Sequence, residues 1–75
     1  MTTAVVWLKT LSPPEIHTNE FEKFLILEGS CDVTIGKEVH QLVPGDYLNI
    51  PLHIEHDVKI TSIIPCKFIL QRIAA

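Results

Sequence analysis

Twenty-two of the 75 residues are β-branched (six Val, ten Ile and six Thr), against only three Ala. That ratio decides between helix and sheet. β-Branched side chains lose χ1 freedom in a helix and pack well on a pleated surface. No window carries an apolar stripe at i, i+3, i+4, i+7 long enough for a helix. Turn signals recur every few residues instead: Ser12-Pro13-Pro14, Glu28-Gly29-Ser30, Gly36-Lys37, Pro44-Gly45-Asp46, Pro51 and Pro65. Short β runs punctuated in this way indicate an all-β sandwich or barrel. Strands are expected over 4–10, 20–27, 32–35, 38–42, 47–50, 56–61 and 66–72. Gly36 suits the positive φ of a type II′ hairpin, Pro44-Gly45 suits the centre of a type II turn, and Pro51 ends its strand for want of an N–H.

Composition then narrows the function classes. Hydrophobic residues make up 47% and charged residues 20% of the chain, too apolar for intrinsic disorder. The net charge is −3, with six basic residues scattered from Lys9 to Arg72. No basic patch offers itself to a nucleic-acid backbone. The longest unbroken apolar run, Ala4–Leu8, is far too short for a membrane span. Met1-Thr2-Thr3 lacks the positive start of a secretory signal. The expectation is a single cytoplasmic domain over residues 1–75. Cys31 and Cys66 form no C-x-x-C pair, which sets aside zinc-ribbon and thioredoxin-like readings. In a reducing compartment they read as two ordinary buried thiols, with one disulfide as the alternative.

Strand parity adds a constraint. Along 21–27, Glu22, Phe24 and Ile26 share one face; Phe21, Lys23, Leu25 and Leu27 share the other. Both faces are mostly apolar, whereas a sheet with one wet face alternates more cleanly. A domain this small buries only about 60% of its unfolded surface. Both facts point to a homodimer that covers apolar sheet surface.

The groups able to carry chemistry are four histidines, His17, His40, His53 and His56, and a set of carboxylates that includes Glu15, Glu20 and Glu22. Glu15 and His17 lie at i, i+2, on one face of an extended segment. Glu22 follows five residues later, and a barrel can bring His56 to them. If Phe24 and Ile26 point inward, so does Glu22, and Lys23 beside it has the opposite parity. A carboxylate so placed requires a metal, a water-filled mouth or a proton.

Two stretches resemble the paired motifs of the cupin superfamily of small β-barrels. His17-x4-Glu22-x6-Gly29 matches the second His, the Glu and the closing Gly of the first motif. Glu15 stands where that motif has its first His. Gly45-x5-Pro51-x-His53-x2-His56 matches the Gly, Pro and His of the second motif. There His53 replaces an inner Gly and Ile60 replaces a terminal Asn. The wording Phe24-Leu25-Ile26-Leu27-Glu28-Gly29 and Val43-Pro44-Gly45-Asp46 is also similar to cupin sequence. The resemblance implies a cupin-type antiparallel β-barrel, a double-stranded β-helix or jelly-roll-like sandwich. It also implies a divalent metal inside it. Carried over by position, the ligands are His17, Glu22 and His56, with Glu15 in place of an imidazole. Such a set suits Zn, Fe, Mn or Ni without distinguishing them.

Other residues have plainer expectations. Tyr47 and His53 are candidates for the ligand cavity, His53 also for a fourth ligand or proton carrier. Glu20 competes with Glu15. His40 is expected outside, and Asp46 to cap its turn. Trp7 and Phe68 are expected in the core or a dimer contact. Three functions fit: a metal-binding module that senses or binds a small polar molecule or anion, with a regulatory protein partner or as part of a longer regulator; a small metalloenzyme such as a dioxygenase, isomerase or epimerase; or a metal-free sugar- or anion-binding barrel. The sequence leaves open whether the protein is an enzyme. For the homodimer, light scattering after size exclusion at micromolar concentration is expected to give twice the 8.5 kDa chain mass; a stable monomer would reject it.

Overall fold

The computed structural model describes residues 1–75 as eight strands in two antiparallel four-stranded sheets, with no helix. They are β1 (Thr2–Leu8), β2 (Leu11–Glu15), β3 (Glu20–Glu28), β4 (Cys31–Ile35), β5 (Glu38–Leu42), β6 (Tyr47–Ile50), β7 (His56–Ile60) and β8 (Cys66–Ala74). One sheet has the order β1-β8-β3-β6 and the other β2-β7-β4-β5. The all-β class expected from the β-branched content is what the chain forms, as a sandwich of the jelly-roll kind.

Alternate residues of each strand face the space between the sheets. Phe24 and Ile26 of β3, Ile50 of β6, and Cys66 and Phe68 of β8 meet Cys31 and Val33 of β4, Leu42 of β5 and Val58 of β7. The Phe24 and Phe68 rings lie 5.0 Å apart at 55°, a tilted pairing that suits their quadrupoles. The parity reading of β3 holds: Glu22, Phe24 and Ile26 are buried, while Phe21 and Leu27 are exposed. On the same sheet, Val5, Trp7 and Tyr47 are exposed too. Trp7 is therefore not a core residue; Lys67 Nζ lies 5.2 Å from its ring centre.

The turns follow their residues. Gly36 has φ 59° between β4 and β5, and Gly45 has φ 93° in the turn before β6. Asp46 caps that turn as expected, its Oδ2 accepting from the Val43 amide at 2.9 Å. Gly29 has φ +74°, and a Cβ there would stand 2.8 Å from the Pro65 carbonyl oxygen and 3.0 Å from Cys66 Cα. Only glycine fits so tight an approach of β3 to the start of β8.

One strand departs from the expectation. Ser12-Pro13-Pro14, read as a turn, belongs to β2. That strand lies at a sheet edge and its pairing with β7 is irregular between Ser12 and Glu15. Prolines are tolerated at an edge strand with a bulge, because no ladder requires their missing N–H. The bulge also delivers Glu15 opposite His56.

Cys31 and Cys66 come from opposite sheets, are both free and buried, and lie close enough for each to affect the other's titration. Burial first, then the neighbouring Cys66, pushes the Cys31 thiol up to about 12. Burial also raises Cys66. A thiol pKa raised in the fold stabilises the native state below the unfolded value of about 8.5, and that contribution disappears as pH climbs toward the folded value. The native thiols are therefore expected to resist iodoacetamide at pH 8 and to react once urea unfolds the chain. Denaturation midpoints should fall between about pH 9 and 12, and Cys31→Ala should flatten that fall.

Candidate metal centre

Glu22 is the middle of the polar end of the barrel. It lies on β3, fully inside, with 5% of its side chain exposed. Register places it opposite Arg72 of β8 on one side and Ile50 of β6 on the other. His56 opens β7 on the facing sheet and pairs with Glu15, the last residue of β2. His17 sits in the short connection from β2 to β3. Four elements of two sheets thus converge, although the residues span most of the chain.

The distances are short. His17 Nε2 is 2.8 Å from Glu22 Oε2 and 3.4 Å from Glu15 Oε2. His56 Nε2 is 3.5 Å from Glu22 Oε1. The two imidazole rings are 5.0 Å apart at 33°. One donor atom from each of Glu15, His17, Glu22 and His56 lies within 4.8 Å of all the others. Donors around a first-row divalent ion stand about 2.0–2.2 Å from it, so no two are more than about 4.4 Å apart. A contraction of a few tenths of an ångström closes the set.

Unmet hydrogen bonding is the decisive test of whether the residues fit a cation. His17 Nε2 and His56 Nδ1 are buried and have no hydrogen-bond partner. For His17 this holds despite the 2.8 Å approach to Glu22, which is not aligned as a hydrogen bond. An orphaned buried nitrogen is costly and rare. One aimed between two carboxylate oxygens has a lone pair where a cation would take it. Two imidazoles and two carboxylates form a borderline-to-hard donor set, suited to Zn, Fe, Mn or Ni and not to a thiolate-seeking ion.

Arg72 was not among the candidate residues. Its Nε donates to Glu22 Oε2 at 3.1 Å, and its side chain is 39% exposed at the mouth. Sequence adjacency offers Glu22 only Lys23, which has the opposite strand parity. The signal lay on β8, where Phe68, Leu70 and Arg72 share parity: pairing Phe24 with Leu70 sets Glu22 against Arg72.

The remaining candidates lie elsewhere. Tyr47 is exposed on the outer side of β6, where its hydroxyl donates to Asn49 Oδ1 at 3.1 Å. Odd positions of β6 point away from the cavity, and Ile50 is the inward residue, so the structure does not place Tyr47 at the cavity. His53 is exposed too and does not line it. Its φ of 62° is left-handed, and its amide donates to the His17 carbonyl at 2.8 Å. Its contribution is backbone, tying the loop before β7 to the connection that carries His17, and the left-handed φ explains why glycine serves at that position in the resembling motif. Glu20 lies outside the cluster. His40, expected outside, is instead half-buried on β5: it pairs with buried Val33 and shares the face of Leu42, 3.4 Å from Glu38 and away from the cluster.

Comparison with known proteins agrees with the fold. A family model described as the cupin domain matches residues 5–71. The chain belongs to the cupin family. Over 50 residues this cupin is 34% identical to quercetin 2,3-dioxygenase of Bacillus subtilis (strain 168), a match covering 67% of the chain and 15% of that enzyme. Among solved structures, the plu4264 protein of Photorhabdus luminescens superposes with a TM-score of 0.78 at 27% identity, over 93% of this chain and 57% of that one. The Cnp3 cupin domain of Schizosaccharomyces pombe gives a TM-score of 0.91 at 15% identity, over 97% of this chain and 52% of that one. The cupin thus spans between a seventh and about half the length of these relatives, and the likeness to Cnp3 is one of fold.

Replacing Arg72 leaves the Glu22 carboxylate buried against two imidazoles. Arg72→Met is expected to destabilise the metal-free protein by about 1–3 kcal/mol, read from urea unfolding. Saturating divalent ion should recover most of that loss by supplying the missing positive charge.

Proposed function

We propose that this cupin is a single-domain module that holds one divalent cation between Glu15, His17, Glu22 and His56 and binds a small polar molecule in the barrel beside it. The observation that carries the reading is His17 Nε2, buried, unpartnered and 2.8 and 3.4 Å from two carboxylate oxygens. The bound ion supplies a Lewis-acidic point with positions left for water or a ligand. The chain's own groups do the rest. Arg72 fixes the rotamer of Glu22. The His53 amide fixes the carbonyl of His17. The apolar walls below exclude water from one side of the cavity.

Sensing or regulatory binding is favoured over turnover. No connection between strands exceeds five residues, so the chain has no long loop to close over a reacting substrate. The likeness to quercetin 2,3-dioxygenase supports the second reading, a small metalloenzyme acting on a polar compound. The exposed apolar outer face around Val5, Trp7, Phe21 and Tyr47 supports the homodimer.

Metal that binds only the native state stabilises it by about 2.7 kcal/mol at one hundred times Kd. Zn, Fe, Mn and Ni are each to be added to chelator-treated protein, with at least one expected to raise the melting temperature by several degrees. Glu22→Ala and His56→Ala should each abolish that rise. A wild-type melting temperature unmoved by all four ions refutes the metal centre. Oxygen uptake by the iron-loaded protein with an added substrate would move the balance to the enzyme.

A further inference from the structure

The polar end of the barrel opens onto a cavity of about 120 Å³, the space of about four water molecules at 30 Å³ each. Its walls are of two kinds. Val6, Leu8, Phe24, Val58, Phe68 and Leu70 form the apolar part. Glu15, Glu22, His56 and Arg72 form the polar part, with Ser12 beside them. Arg72 spends only Nε on the protein: Glu22 is the one acceptor it meets. Its two terminal nitrogens carry four N–H groups that no protein oxygen accepts, on a side chain that lines the cavity. A guanidinium presents these in a planar fork that matches a carboxylate.

Charge decides when that fork can be used. With neutral imidazoles the site holds two carboxylates and one guanidinium, a net −1, which repels an anion. A divalent ion among the four ligands changes the sum to +1. Further along the same strands, Phe24, Phe68 and Leu70 form an apolar wall suited to a short hydrocarbon chain.

We propose that Arg72 is the recognition residue for a short-chain monocarboxylate, which binds with its carboxylate on the guanidinium and its alkyl chain against Phe24, Phe68 and Leu70, and only when the metal site is filled. This rests on the metal reading above. It goes beyond that reading in naming the ligand class, the residue that selects it and the order of binding.

Butyrate is the probe, titrated calorimetrically into zinc-loaded and chelator-treated protein, with butyramide as the uncharged control of similar size. The zinc-loaded wild type is expected to bind butyrate at least tenfold more tightly than butyramide, and the metal-free protein to bind neither. Arg72→Gln retains an N–H for Glu22 but loses the charge and the fork; it should keep zinc and lose butyrate affinity at least tenfold. Arg72→Lys keeps a cation beside Glu22 and loses only the fork, so it should keep zinc and fall between the two. If Arg72→Gln fails to fold or to take zinc, Arg72→Lys and the butyramide comparison carry the test. The inference is overturned, with the metal reading intact, if zinc-loaded wild type binds butyrate no better than butyramide, or if both variants bind it within twofold of wild type. Equal butyrate affinity with and without zinc overturns the order of binding. A wild type that takes up no metal at all overturns both the reading and the inference built on it.

Discussion

A carboxylate buried between two β-sheets sets the terms for the polar end of this barrel. Glu22 cannot be hydrated there as it would be at the surface, and an unpaired charge in such a place costs several kcal/mol. The fold surrounds it with cationic or lone-pair-bearing groups from separate strands: Arg72 from the neighbouring strand, His17 from the preceding connection and His56 from the opposite sheet. Arg72 alone neutralises the charge without satisfying the imidazoles. His17 Nε2 remains unpartnered between two carboxylates, and Glu15 adds a second negative charge, 43% exposed at the side chain. That unmet group distinguishes the cluster from a purely structural ion pair and is what the proposed cation would complete.

Much of this was legible in the chain because strand parity is a strict rule. Once Phe24 and Ile26 are assigned to the core, Glu22 must follow them inward, and the structure places it there. The convergence of Glu15, His17 and His56 was legible for a different reason: their spacing resembles that of a family whose barrel brings such positions together. What parity does not reveal is which strand lies alongside. Arg72 was hidden because its partnership depends on the β3–β8 pairing, fifty residues apart in sequence. Tyr47 and His53 were misplaced for a related reason. A hydroxyl or imidazole near the motif looks available to the cavity until the facing of β6 and the left-handed turn at His53 are known. The edge strand β2 was missed because proline is a reliable breaker only where a ladder needs its N–H.

The two ends of the barrel differ in chemistry along the same strands. On β3 the inward residues run Glu22, Phe24, Ile26; on antiparallel β8 they run Phe68, Leu70, Arg72, so that register sets charged against charged and apolar against apolar. The apolar end is closed by the Cys31–Cys66 contact and by the approach of Gly29 to Pro65. The polar end is left open. The core and the site are consequently one construction. A shift of one residue in the β3–β8 pairing would turn Phe24 and Ile26 to solvent and Glu22 with them, so any change that moves the site also loses the core.

That coupling bears on how stiffly the site is held. Side chains carried on paired strands, with their rotamers fixed by neighbours, lose little further freedom when a ligand arrives, and preorganisation of this kind strengthens binding. Glu22 and His56 meet that description, each 4% exposed as a residue and followed by a core position on its own strand, Phe24 and Val58. Glu15 and His17 do not to the same degree, because they follow the irregular edge strand and its connection. The centre therefore has a rigid half and an adjustable half. The rigid half would fix where the proposed cation sits, and the adjustable half would close the few tenths of an ångström that separate the present spread of donors from a coordination shell. Uptake of the proposed ion would therefore draw on the β2–β3 connection, which carries His17, more than on β3 or β7.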